Sequence, residues 1–119
     1  AAVMVSNQIV ALADMGTALL VKCGFSEAAA AEALSPLLLG NAQSVAEKGA
    51  VNALTGPIER GDAQTVSKHL QEIRKFAAES TVGQDILTAY TALSKQLIRI
   101  AQQKHPHKDY KHLEKELEQ

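Results

Sequence analysis

The chain has 119 residues, which fits one domain, and 46% of them are hydrophobic whereas only 3% are aromatic. Such a core must be aliphatic and rich in alanine, which suits closely packed helices better than a sheet. The formal net charge is -1, which excludes the overall basic field typical of nucleic-acid binding.

Several features favour a cytoplasmic protein. Cys23 is the only cysteine, so no internal disulfide can form. Its position in an apolar run predicts a buried, unreactive thiol. The N-terminal residues lack the basic start and cleavage site of a signal peptide. The apolar stretch that follows carries Asn7, Asp14 and Lys22, and we expect it to be too polar to span a membrane.

The first predicted helix covers about residues 2 to 23 and ends at Gly24. It is apolar on nearly all sides, which is typical of a central, buried helix. Asn7 and Asp14 lie on one side of it, seven positions apart. Because a buried amide without a partner is costly, Asn7 needs either a hydrogen-bond partner or a polar cleft. The helix starts at Ala1 without a cap, which indicates a piece of a longer protein with a domain upstream.

The second helical region begins after Ser26, whose hydroxyl can cap it. Ser35-Pro36 interrupts the region, and a serine cap followed by proline predicts a restart or a kink. Gly49 closes the region, and a short connector covers about residues 50 to 54.

A strongly specified turn comes next, with the sequence Leu54-Thr55-Gly56-Pro57-Ile58-Glu59-Arg60-Gly61-Asp62. Pro57 suits the first position of a short helix with Thr55 or Gly56 as its cap, and Gly61 suits its end. Asp62 can then cap the next helix. Such a turn sets the angle between helices and can also shape a site.

The sequence of the last part of the chain predicts two amphipathic helices followed by a short charged helix. The first, to about residue 79, has its apolar stripe at Val66, Leu70, Ile73 and Ala77. The second, about 82 to 104, is capped by Ser80 or Thr81 and has apolar positions at Ile86, Leu87, Tyr90, Leu93, Leu97 and Ile100. After Pro106, a charged helix or tail is anchored by Tyr110, Leu113 and Leu117. We therefore predict an all-α bundle of five to six helices, with residues 1–104 as the helical domain and 105–119 as a C-terminal tail.

No complete catalytic set is visible in the sequence. The glycines of the turn are spaced too widely for a dinucleotide-binding loop. His105, His107 and His112, with Asp109, could bind a metal ion, but a solvated tail is the preferred interpretation. His69 is either a structural histidine or a proton donor or substrate ligand that faces a cleft.

Several of these residues together resemble a known family. The turn, with Thr65-Val66 and His69 after it, is similar to the C-terminal helical domain of Rossmann-like, NAD(P)-dependent oxidoreductases, a domain to which no function is assigned. Ser6-Asn7 and Val10-Ala11-Leu12 resemble its first helix, and Gly24, Pro36-Leu37 and Asn41 follow in order. The resemblance covers about residues 1 to 100, and the tail departs from it.

The resemblance implies a layout similar to that of pyrroline-5-carboxylate and ketopantoate reductases and 6-phosphogluconate dehydrogenase. In that layout an N-terminal Rossmann domain holds NAD or NADP, and the helical domain dimerises and closes over the substrate. Asn7 takes the place of a catalytic asparagine that faces the nicotinamide. The family's preceding Tyr-His pair would lie before Ala1, so its acid or base role cannot be performed by this chain.

The resemblance thus predicts a homodimeric substrate-side domain that is inactive alone. We expect Asn7 to be catalytic, and Thr55, Arg60 and His69 to bind substrate. The partners would be a second copy and the chain's own Rossmann domain, without nucleic acid or a membrane. The alternatives are a non-catalytic helical homodimeric interaction module and a bundle that binds metal through its C-terminal histidines.

Overall fold

The computed structural model describes all 119 residues, 84% of which are helical, and it contains no strand. The all-α class predicted from the composition is therefore confirmed. The helices are α1 (Ala2–Val5), α2 (Asn7–Lys22), α3 (Glu27–Ala53), α4 (Pro57–Arg60), α5 (Ala63–Glu79), α6 (Thr81–Lys104) and α7 (Lys111–Glu118). The chain divides into two compact units, Ala1–Glu47 and Lys48–Gln119.

The first unit has almost no core of its own. Ala30 is its only buried residue, and α2 buries none. The prediction of a central, buried N-terminal helix is therefore wrong for the single chain, because helices lying side by side leave most of each surface uncovered. The predicted single helix is also interrupted at Ser6, whose hydroxyl donates to the carbonyl oxygen of Ala2 at 2.7 Å.

The segment Ala2–Lys22 also differs from its prediction in hydropathy. Its mean hydropathy of 1.4 makes it apolar and long enough to cross a membrane, judged by length and composition only. The expectation that its polar residues rule out a span is thus not supported. Core helices of soluble proteins and signal sequences pass the same test, so this finding is weak evidence for a membrane.

Helix α3 continues through Pro36 and is broken instead at Gly49, where φ is 79° and ψ is 167°. The Ser35 hydroxyl donates back to the Ala31 carbonyl at 2.8 Å, so it does not cap a new helix as predicted. The predicted end at Gly49 is confirmed by this backbone break, although residues 50–53 are helical rather than a connector. Glycine adopts a positive φ at little cost, which explains the position of the break.

The second unit contains a packed core formed by α4 to α7. The predicted stripe of α5 is confirmed, since all four of its residues are buried. On α6, Leu93 is exposed and Ser94 is buried, so the predicted stripe is wrong at this turn. The predicted C-terminal anchors are confirmed: Tyr110 and two leucines of α7 join the core, whose members are Leu54, Ile58, Val66, Leu70, Ile98, Ala101, Tyr110, Leu113 and Leu117.

The junction between α5 and α6 requires a glycine. The Ser80 hydroxyl accepts from the Gly83 amide at 3.0 Å, which confirms the predicted cap of α6. A Cβ atom at Gly83 would overlap the Phe76 carbonyl and lie 2.6 Å from the Ala77 nitrogen. This close backbone approach fixes how α6 leaves α5.

Candidate functional site

The turn between residues 54 and 62 has the backbone that its sequence predicts. Gly56 is the N-cap of α4, with Pro57 at the first helical position, and Gly61 ends α4 in the left-handed conformation with φ 75°. The Asp62 carboxylate accepts from the Thr65 amide at 3.0 Å and from the Thr65 hydroxyl at 2.7 Å. Both bonds to Thr65 hold the pKa of Asp62 below its ordinary value.

The C-terminal segment binds the backbone carbonyls of this turn. Lys104 Nζ donates to the Leu54 oxygen at 2.8 Å, and Lys108 Nζ donates to the Arg60 oxygen at 2.7 Å. The Tyr110 hydroxyl donates to the Glu59 oxygen at 2.9 Å. Ammonium groups are favourable there, because the last carbonyls of a helix such as α4 lack partners within it.

One carboxylate joins the turn to the C-terminal segment by its side chain. Glu59 Oε1 lies 2.8 Å from His105 Nε2 and 3.9 Å from Lys104 Nζ. The hydrogen bond to His105 and the charge of Lys104 hold the pKa of Glu59 below its ordinary value, against the effect of burial. Sequence reasoning missed this pair; its only signal was the Glu-Arg step within the turn, because the two residues are 46 positions apart.

Two predicted site residues, Thr55 and Arg60, lie in the turn with exposed side chains. The positive charge of Arg60 contributes to the lowered pKa of Asp62, after the hydrogen bonds to Thr65. The Arg60 carbonyl is bound by Lys108, whereas its guanidinium is open to solvent. Arg60 can therefore brace the corner through its backbone and meet an anion through its side chain.

His69 lies on α5, beside α6. Its Nδ1 atom is 3.0 Å from the Tyr90 hydroxyl, and the two rings meet edge to face, with centroids 6.0 Å apart. His69 is exposed and Tyr90 is half-buried. The sequence singled out His69 but placed Tyr90 only in the apolar stripe of its helix.

Asn7, the predicted catalytic residue, belongs to the first unit, whereas Thr55, Arg60 and His69 belong to the second. Asn7 is exposed, and its Oδ1 atom accepts from the Ser6 hydroxyl at 3.3 Å. Its partner is therefore the adjacent residue rather than a residue of another helix, because α2 has no covering partner in the single chain. Its amide nitrogen is free to meet a ligand.

The first unit also has an apolar groove of about 360 Å³ between α2 and α3. Gly16 allows α3 to approach there, since a Cβ atom on it would lie 3.2 Å from a methyl carbon of Leu34. The lining residues are mostly small or aliphatic: Leu12, Ala13, Gly16, Thr17, Ala31, Leu34, Ser35, Leu37, Leu38 and Asn41.

The C-terminal histidines do not come together. No group of three histidine, cysteine, aspartate or glutamate residues is placed to hold a metal ion, and His105 pairs with Glu59 instead.

The predicted burial of Cys23 is wrong, because this residue ends α2 in an exposed position.

Comparison with known proteins gives a family and no closer relative. No curated protein and no solved structure matches the chain. Residues 1–97 match a family model described as "Domain of unknown function (DUF2520)". The matched part includes the turn, Asn7 and His69, and it ends before the residues that hold the turn from the C-terminal side. Since the match covers most of its length, the chain belongs to this family of domains of unknown function.

Proposed function

We propose that the chain is the dimerising, substrate-side domain of a cytoplasmic NAD(P)-dependent oxidoreductase. Its parent protein would contain a Rossmann domain that holds most of the NAD or NADP. The resemblance of the turn and of the first helix to such proteins motivates the oxidoreductase part. Alone, the chain would neither retain the cofactor nor turn over substrate.

One observation supports dimerisation most strongly: the first unit exposes most of the large apolar side chains. Of thirteen exposed large hydrophobic residues, eleven lie in Ala1–Glu47: Val3, Met4, Val5, Val10, Leu12, Val21, Phe25, Leu37, Leu38, Leu39 and Val45. Exposed apolar surface often marks an interaction site, and homodimer interfaces are more apolar than the rest of a protein surface. A second copy that pairs α2 and α3 with its own would cover this surface.

Four exposed polar residues would bind and orient the substrate. The Asn7 amide would orient the substrate or the nicotinamide, and Arg60 would pair with an anionic substrate group. Thr55 and His69 would add hydrogen bonds. Hydride transfer needs a desolvated and oriented substrate, which such groups can provide once a second domain closes over them.

The role of Asn7 is tested in the parent protein. Asn7→Ala should lower the rate of NAD(P)H-dependent reduction at least about tenfold, since it removes an orienting hydrogen bond, and should leave the dimer intact. Asn52→Ala, which changes another exposed asparagine, is the matched control and should leave the rate unchanged. An unchanged rate in Asn7→Ala would contradict the catalytic assignment and favour a non-catalytic interaction module. A monomeric mass for the 119-residue chain in light scattering would contradict dimerisation.

A further inference from the structure

His69 and Tyr90 form a polar pair between two helices of the second unit. The 3.0 Å distance joins Nδ1 of an exposed imidazole to the hydroxyl of a half-buried phenol. The interplanar angle of 85° places the rings edge to face. The Tyr90 ring packs against the apolar core, so its hydroxyl is held in a fixed place. The position of the imidazole is therefore set from the interior of the unit.

A buried serine lies close to this pair in the sequence of α6. Ser94, one helical turn after Tyr90, is the only buried polar residue in the chain, with 3% of its surface exposed. Burial raises the pKa of Tyr90, and a hydrogen bond with the Ser94 side chain partly offsets this effect. The phenol has one proton to donate, and His69 Nδ1 lies at hydrogen-bond distance from it.

The direction of this hydrogen bond determines the state of the imidazole. A neutral imidazole has one nitrogen that donates and one that accepts. If Nδ1 accepts from Tyr90, the proton must lie on Nε2, which is a donor. Because His69 is exposed, this donor is available to a ligand.

We propose that Tyr90 is a positioning residue for His69, and that His69 Nε2–H donates a hydrogen bond to a carbonyl or carboxylate oxygen of the substrate. This inference rests on the substrate-side role proposed for the domain. It adds a stated chemistry to His69 and a role to Tyr90, which the sequence placed only in the apolar stripe of its helix.

The tautomer is measured by heteronuclear NMR of the ¹⁵N-labelled chain at about pH 8, where an ordinary imidazole is neutral. Wild type should show one His69 tautomer, protonated at Nε2. Tyr90→Phe, which keeps the ring and removes the hydroxyl, should show exchange between both tautomers. Tyr110→Phe removes the chain's other phenol hydroxyl and should leave the His69 signals unchanged. A proton on Nδ1 in wild type, or an unchanged tautomer in Tyr90→Phe, would overturn the positioning role.

The ligand chemistry is tested in the parent protein with pyruvate, which carries both a carbonyl and a carboxylate. Millimolar pyruvate should shift the His69 Nε2 signal saturably, and Tyr90→Phe should weaken its binding about fivefold, the effect of one modest hydrogen bond. Absence of a saturable shift, or equal binding by both proteins, would overturn the ligand assignment. These results are independent of the proposed dimer, because the tautomer is read from either a monomer or a dimer.

Discussion

At the scale of single residues, Glu59 links the turn to the C-terminal segment through both its side chain and its backbone. Its carboxylate interacts with His105 and Lys104, and its backbone carbonyl accepts a hydrogen bond from Tyr110. Its pKa is lower than the ordinary value of 4.5, so folding favours the charged form. A carboxylate of this kind contributes stability at neutral pH, and the contribution is lost as the pH falls through its folded-state pKa.

Replacing Glu59 should therefore change the acid sensitivity of the chain. The free energy of unfolding of wild type should fall when the pH is lowered from neutral to below 4.5, and that of Glu59→Gln should fall less. Urea unfolding followed by circular dichroism at both pH values measures the difference. Glu72→Gln, which removes an exposed pair with Lys75, is the control and should respond like wild type. If the free energy of unfolding of Glu59→Gln falls with pH as much as that of wild type, the Glu59 carboxylate makes no such ionic contribution.

The residues of the turn also show what could be predicted locally. The caps formed by Gly56, Gly61 and Asp62 were predicted because each depends on neighbours within a few positions. The bonds from Lys104, Lys108 and Tyr110 were not predicted. They depend on how α6 and the C-terminal segment return to α4, about fifty residues further along the chain.

At the scale of elements, the junction of α5 with α6 has the closest backbone approach to any glycine of the chain. Gly83→Ala should cost about 1–3 kcal/mol or more, because backbone atoms of Phe76 and Ala77 cannot move aside as a flexible side chain can. Thermal unfolding measures the loss. Gly40→Ala is the matched control, since α3 leaves open space there and alanine favours helix by up to about 1 kcal/mol. Equal stability of both variants would show that the junction relaxes.

Two element-level predictions failed. The apolar period of α6 favoured Leu93 as an inward residue, but the structure buries Ser94 and leaves Leu93 exposed. Ser35-Pro36 suggested a restart or a kink, yet the serine hydroxyl bonds to the preceding turn and α3 continues to the predicted break at Gly49. The bond of Ser35 to its own helix is a local alternative to capping that the sequence pattern does not distinguish.

At the scale of the whole molecule, the two units bury their apolar residues to very different extents. The second unit has a core, whereas the first buries only Ala30. A surface of eleven large apolar side chains would gain considerably from association, because burial of apolar area is the main favourable term. The proposed dimer is therefore expected to depend on the first unit.

Paired charge variants test this expectation. Val10→Lys with Leu39→Lys places charges on α2 and α3 and should weaken the dimer at least about tenfold, since it buries ammonium groups at the interface. Val82→Lys with Leu93→Lys changes the two exposed large apolar residues of the second unit and should leave the dimer unchanged. Analytical ultracentrifugation over a range of concentrations gives both dissociation constants. Equal effects of the two pairs would place the interface elsewhere.

The sequence by itself determined the all-α class, the caps of α3 to α6 and the apolar stripe of α5, because these depend on composition and on neighbours within one or two helical turns. Only the tertiary structure decided which apolar helices have a core to cover them. It left α2 without a buried residue and Cys23 exposed, paired His69 with Tyr90, and brought the C-terminal segment to the turn. The physical reason is that the spacing of apolar residues in a sequence indicates which face of a helix can be buried. Whether that face is buried depends on the partner that packs against it.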